Sequence, residues 1–134
     1  MIIGFTCSAF DLLHPGHIAM LRECKDYCDY LIVGLHTDPS IDRPNEKSKP
    51  TQTVYERYVQ LKGCTYVDEI VPYETEYDLI NLLAIENFNI RFVGEEYSDT
   101  YLTGQDICES RNIKIMYNSR KHKYSSTELR SRLK

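Results

Sequence analysis

The sequence predicts a doubly wound α/β fold: a mainly parallel sheet of about five strands in the order 3-2-1-4-5, with helices on both faces. Three observations carry this. Short apolar or β-branched runs alternate along the chain with helical patterns, as crossover units require. Several helical patterns open on a hydroxyl three residues before an acid, a capping signature. The first apolar run leads into a His, Pro and Gly-rich junction, and sheets of this class bind ligands beyond the carboxyl ends of their strands.

Taken in order, the first strand is predicted over Ile2 to Thr6, and a helix over Pro15 to Cys28, because proline suits the first helical position. Cys24 and Cys28 share an apolar stripe with Ile18 and Leu21. The second strand covers Tyr30 to Leu35. Asp38 to Gln52 contains Pro39, Pro44 and Pro50 and has no convincing period, so it is read as a mobile lid carrying Lys47 and Lys49 toward phosphate. The second helix, Val54 to Lys62, starts at the Thr53 and Glu56 pair, and strand three follows over Val67 to Val71. A third helix, Glu76 to Glu86, starts at Thr75 and Asp78. Strand four (Ile90 to Val93), helix four (Thr103 to Ser110) and strand five (Ile113 to Tyr117) come next. A last helix is predicted over Thr127 to Leu133, with Ser125 and Glu128 at its start.

At 134 residues the chain suffices for one domain with a real core and is short for two, so residues 1–134 are read as a single domain. Hydrophobic residues make up 42% and charged residues 27%, and no apolar run approaches the ~20 residues of a bilayer span. The N-terminal run has neither a preceding basic region nor a following cleavage site, and a cytoplasmic location is expected. The five cysteines include no C-x-x-C pair and are read as reduced; Cys7, Cys64 and Cys108 lack zinc-ligand spacing. A net charge of -4 argues against a nucleic-acid partner. From Ser119 onward, however, Arg120, Lys121, Lys123, Arg130, Arg132 and Lys134 face Glu128 alone, which suits either a small anionic substrate or a solvated basic tail.

His14 and His17 lie three apart at the junction of first strand and first helix, on one helix face. Gly16 removes a side chain where a ligand would approach the exposed amides. A helix N-terminus offers unpaired N–H groups and a partial positive charge, to which two imidazoles add donors. The expected ligand is a polyphosphate.

This H-x-G-H arrangement resembles the cytidylyltransferase family of nucleotidyltransferases, and most closely the glycerol-3-phosphate cytidylyltransferases, over nearly the whole chain. The resemblance implies a Rossmann-like sheet and a nucleotide-phosphate site. Phe10, Asp11, His14, Gly16 and His17 match the family's G-T-F-D-x-x-H-x-G-H pattern, with Ser8 and Ala9 replacing its small residue and threonine. Asp11 is either a turn residue accepting backbone N–H bonds or a direct participant. Arg120 to Thr127 aligns with an R-T-x-G-I-S-T-T pattern, with Lys121 and Lys123 in place of its first threonine and its glycine. The resemblance implies that Arg120 clamps the outer phosphates, and that Ser125, Ser126 and Thr127 offer hydroxyls and helix-start amides; alone, those three would be a helix cap.

Gly94-Glu95-Glu96-Tyr97 resembles a G-D-D-W segment set against base and ribose. Glu96 would accept from an exocyclic amine and Tyr97 would offer a ring face, a reading ranked above a metal site at the paired carboxylates. Arg57 resembles an E-R element facing the acceptor, Lys47 is assigned to the acceptor side, and Tyr77 stands either in the acceptor pocket or in the packing of the third helix. Thr65 stands where the family carries an arginine.

The implied reaction is transfer of CMP from CTP to a small phosphorylated alcohol, glycerol 3-phosphate first, with release of pyrophosphate. His14, His17, Arg120 and a loop lysine, Lys49 ahead of Lys47, would stabilise charge. Mg²⁺ is expected on the triphosphate, and a homodimer is expected. The alternatives are adenylyl transfer from ATP to a phosphopantetheine or flavin phosphate, and an inactive nucleotide-binding protein.

Overall fold

The computed structural model describes residues 1–119. Its elements are β1 (Ile3–Ser8), α1 (Pro15–Lys25), β2 (Tyr30–His36), α2 (Val54–Lys62), β3 (Glu69–Tyr73), α3 (Glu76–Ile85), β4 (Ile90–Gly94), a 3-10 turn (Glu95–Tyr97), α4 (Gln105–Ser110) and β5 (Lys114–Asn118). The five strands form one parallel sheet in the order β3-β2-β1-β4-β5, as the alternating pattern predicts. The predicted helix Thr127 to Leu133 and its Ser125 cap lie outside the described residues.

Alternation along β2 divides the interior. Leu31, Val33 and Leu35 meet Leu21 and Cys24 of α1 and Leu61 of α2 on one face. Ile32 joins Phe5, Tyr73, Leu79 and Leu83 of α3 and Cys108 of α4 on the other. No helix among the described residues is long and apolar enough to cross a membrane.

The expected Thr53 and Thr75 boxes are both present: each hydroxyl accepts from the N–H three residues on, and Glu56 and Asp78 return the bond. The first helix stops at Lys25, three residues short of expectation. Cys24 is buried, whereas Cys28 follows in a turn, its thiol donating to the Cys24 carbonyl at 3.4 Å. All five cysteines are free.

Strand three begins two residues later than predicted. Tyr66 and Val67 form the turn that closes α2, with Val67 N–H donating to Cys64 O at 3.2 Å, and pack on the core as turn residues. Asp68 opens the ladder: its N–H donates to Leu31 O at 3.0 Å, and its carboxylate accepts from Leu31 N–H and Lys25. The fourth helix starts late because Gly104 precedes it with φ +76°, a left-handed turn that suits glycine.

One cross-sheet contact fixes how closely the carboxyl ends of β1, β2 and β3 pack. Cys7 and Tyr73 meet over Gly34, and His36 stacks on Tyr73 at 4.6 Å. A Cβ on Gly34 would lie 2.9 Å from Cys7 Cβ and 3.1 Å from Tyr73 Cε1.

The strands do not run together along their whole length. β1 pairs with β2 from Ile3↔Tyr30 to Ser8↔Leu35, but with β4 only at Gly4↔Ile90 and Phe5↔Arg91. Beyond Phe5 the Thr6 hydroxyl donates to Phe92 O at 3.3 Å. The sheet therefore forks between β1 and β4 at its carboxyl edge, the switch point of this strand order.

Gly34→Ala is expected to cost about 1–3 kcal/mol of stability through overpacking. Urea denaturation checks it: a wild-type midpoint would show that Tyr73 does not need the space above Gly34.

Candidate active site

The loop joining β1 to α1 is built around backbone conformations that its side chains disfavour. Phe10 (φ 51°) and Leu12 (φ 54°) both sit in the left-handed region, at a cost of about 1–3 kcal/mol each that the surroundings must offset. Phe10 is held because its ring is 1% exposed, packed in the core and 5.5 Å from the His17 ring. Leu12 is held because its N–H donates to Gln52 Oε1 at 2.7 Å.

Asp11 closes the same clasp from the other side. Its carboxylate accepts from Thr51 N–H at 2.8 Å and Gln52 N–H at 2.9 Å, backbone donors 40 and 41 positions away rather than within its own turn. Burial pushes this carboxyl upward, and the two N–H bonds, together with the Thr51 side chain and the Arg57 charge, outweigh it, so Asp11 titrates below its ordinary value.

The loop delivers His14 and His17 into a capping box made of two imidazoles. His14 Nδ1 accepts from Gly16 N–H at 3.0 Å, and His17 Nδ1 accepts from His14 N–H at 3.2 Å. The rings lie 4.0 Å apart, tilted by 35°. Because both Nδ1 atoms accept, each neutral ring carries its proton on Nε2, which is therefore its donor atom. Pro15 occupies the first helical position and Gly16 is buried. From His14 a groove of about 710 Å³ runs along α1 past Ile18, Arg22 and Asp26 to Tyr66.

Arg57, for which the resemblance implies a place facing the acceptor, turns its guanidinium to the backbone. Its side chain is 1% exposed and donates to four backbone carbonyls: Nε to Gln52 at 3.2 Å, Nη1 to Ala9 at 3.1 Å and His36 at 2.8 Å, and Nη2 to Thr37 at 2.6 Å. It holds the ends of β1 and β2 against the start of α2. Sequence reasoning also missed Gln52, which has no local signature: it simply precedes the Thr53 cap.

The predicted lid is free of helix and strand, and it is tied at several points. Asp42 accepts from Glu76 N–H at 2.5 Å, Arg43 pairs with Glu76 at 3.3 Å, and Thr51 and Gln52 bond Asp11. Lys49 is exposed and Lys47 half-buried. Ser8 is exposed at the end of β1. Across the fork, a side chain on Gly94 would collide with the Glu96 carboxylate, so glycine makes room for Glu96 at the end of β4, and Tyr97 is 40% exposed beside it. Tyr77 opens α3 at the outer edge of the sheet and is 71% exposed, so it does not pack that helix. Arg120, Ser125, Ser126 and Thr127 lie outside the described residues. Ser119, the last described residue, donates through its N–H to Glu23 at 3.0 Å. Among the described residues no group of three or more His, Cys, Asp or Glu is placed to hold a metal ion.

The cytidylyltransferase-like family matches residues 5–132. Among curated relatives, the bifunctional protein HldE of Caulobacter sp. (strain K31) is 34% identical over 131 residues, which is 98% of this chain and 27% of HldE. HldE of Rhodospirillum rubrum is 32% identical, over 98% and 26%. The chain thus spans about a quarter of the length of these relatives. Among solved structures, the lipopolysaccharide core biosynthesis protein from Thermoplasma volcanium GSS1 aligns with TM-score 0.73 and 25% identity, over 91% of this chain and 99% of that one. Pantoate-beta-alanine ligase from Francisella tularensis shares the fold at TM-score 0.63 and 19% identity, over 96% and 67%.

Arg57→Met should lower stability by at least about 3 kcal/mol, since it strips four carbonyls of their donor, and Arg57→Lys should restore only part. Chemical denaturation reads this, and a wild-type midpoint for the methionine variant would remove Arg57 from its clamping role. For Asp11 the folded-state value is depressed, so its contribution is present above the ordinary aspartate value of about 3.9 and is lost as pH falls through the folded value. Asp11→Asn should therefore flatten the acid limb of the stability curve, measured as unfolding temperature from pH 6 downward; parallel wild-type and variant curves would contradict the clasp.

Proposed function

The chain belongs to the cytidylyltransferase-like family, and from that premise we propose that it transfers a nucleotidyl group, CMP from CTP, to a small phosphorylated alcohol with release of pyrophosphate. The observation that carries this reading is the imidazole capping box: His14 and His17 both have Nδ1 engaged by backbone N–H, which makes Nε2 the donor atom of each neutral ring, at a helix N-terminus beside the fork in the sheet.

A phosphomonoester has a second pKa near 6 and is largely a dianion at neutral pH, so it attacks without a general base. One of its oxygens bonds to the α-phosphorus of the nucleotide as the bond from that phosphorus to the β-bridging oxygen breaks, and pyrophosphate leaves with the electron pair. No net proton transfer is needed. The protein aligns the two anions and balances the charge that builds on the phosphoryl oxygens. His14 and His17 donate from Nε2, the first-turn amides of α1 add their partial charge, and Lys49, with Lys47 as the second choice, and Arg120 supply cations. Among the described residues no cluster of three or more His, Cys, Asp or Glu forms a cage for Mg²⁺, which would arrive on the triphosphate. A cytoplasmic homodimer belongs to the same reading.

Glu96 and Tyr97 suit a base that carries an exocyclic amine. That feature fits cytosine and adenine alike, which supports ATP as the second reading. Glycerol 3-phosphate remains the first acceptor by resemblance. A phosphorylated sugar is the second, in view of the Thermoplasma relative in lipopolysaccharide core biosynthesis.

Pyrophosphate release with Mg²⁺ should be measured with CTP and with ATP, each against glycerol 3-phosphate, phosphocholine and a set of sugar phosphates. Release with CTP and one acceptor is the expected outcome, falling by about 10²-fold or more in His17→Ala at unchanged circular dichroism. Turnover with ATP alone selects the second reading, and nucleotide binding without release from any pair would leave a binding protein.

A further inference from the structure

We infer that Gln52 is a positioning residue for the His14 and His17 pair, holding the strained loop before His14 in the one shape that aims both rings. Its effect on rate rests on the nucleotidyl-transfer reading; its effect on the rings does not.

Gln52 touches the loop through its side chain and is itself fixed through its main chain. Its N–H donates to Asp11 Oδ1 at 2.9 Å, and its carbonyl accepts from Arg57 Nε at 3.2 Å. From that fixed base, Oε1 accepts the Leu12 N–H at 2.7 Å, and Leu12 holds φ 54°. Two residues later, the His14 N–H is the donor to His17 Nδ1, while the His14 ring caps α1 through Gly16 N–H. If Leu12 loses its acceptor, its backbone is released toward the right-handed or extended conformations that leucine prefers, and the His14 peptide turns with it. One rotation then disturbs both imidazoles, because each is oriented by a backbone N–H at this junction.

The neutral amide is suited to the place. A carboxylate here would put a second negative charge beside Asp11, and a shorter side chain would have a different reach to Leu12 N. Gln52 also stands three residues after Lys49. The same clasp therefore sets where the lysine segment leaves the histidine junction.

The test compares Gln52→Met, which keeps length but removes the acceptor, with Gln52→Glu, which keeps an acceptor oxygen. Imidazole ¹⁵N resonances of His14 and His17 are read by NMR alongside the kinetics of pyrophosphate release. In Gln52→Met the resonances of both rings should shift, and kcat should fall by about 10- to 100-fold with the nucleotide KM within roughly threefold of wild type. In Gln52→Glu both rings should keep the wild-type pattern even where the added charge alters the rate. Unshifted rings in Gln52→Met, or shifted rings with wild-type kcat in an active enzyme, would overturn the inference. Should Gln52→Met fail to fold, Gln52→Ala carries the same expectation. If the wild-type protein transfers no nucleotide, the functional reading falls, while the ring resonances still decide whether Gln52 sets the pair.

Discussion

A single guanidinium gathers the carboxyl edge of this sheet. In a parallel sheet the strands all end at the same edge, and their last carbonyls are left without ladder partners unless something else donates to them. Arg57 donates to the carbonyls of Ala9, His36, Thr37 and Gln52, which belong to three separate stretches of chain. Only a planar fork of N–H groups can reach acceptors arranged in this way; an ammonium lacks the directions. Burial of such a charge is costly unless its donors are satisfied, and here carbonyl dipoles satisfy them, with Asp11 and Asp38 nearby favouring the charged form. Removing the fork would release the Ala9 peptide, and with it the loop that leads to the histidines.

The two histidines are scaffold first, and the proposed reaction would draw on the same rings. In most capping boxes a hydroxyl and a carboxylate cover the first amides of a helix, as Thr53 and Glu56 do for α2. At α1 the same geometry is met by Nδ1 atoms, so each ring is oriented by its structural bond before any ligand arrives. Preorganised donors of this kind avoid reorganisation at the moment charge develops. The arrangement also separates two duties among the cations: Arg57 is committed to carbonyls, whereas Lys49 remains at the surface.

Strand order, the Thr53 and Thr75 caps and the histidine junction were legible in the sequence because each has a local signature: alternation, a hydroxyl three residues before an acid, or His-Pro-Gly-His after an apolar run. The start of β3 was misplaced because Tyr66 and Val67 are apolar for a turn that packs on the core, and hydropathy does not separate that from a strand. The late start of α4 depends on the left-handed Gly104, a glycine that periodicity treats as neutral. Arg57 and Gln52 were illegible in their actual roles for a shared reason. Their partners are backbone atoms brought close by tertiary folding, and a main-chain carbonyl leaves no mark in the residue alphabet.

The fork between β1 and β4 has a mechanical side. With ladder pairing confined to Gly4↔Ile90 and Phe5↔Arg91, the β3-β2-β1 and β4-β5 halves are joined like two boards nailed at one end, with the Thr6 to Phe92 bond as one further stitch. A ligand bridging His14 and Glu96 would lie across the open end of that seam and act as a splint. Substrate would then lend the sheet a stiffness its own hydrogen bonds do not provide, and the empty and loaded proteins would differ less in shape than in how readily the seam breathes.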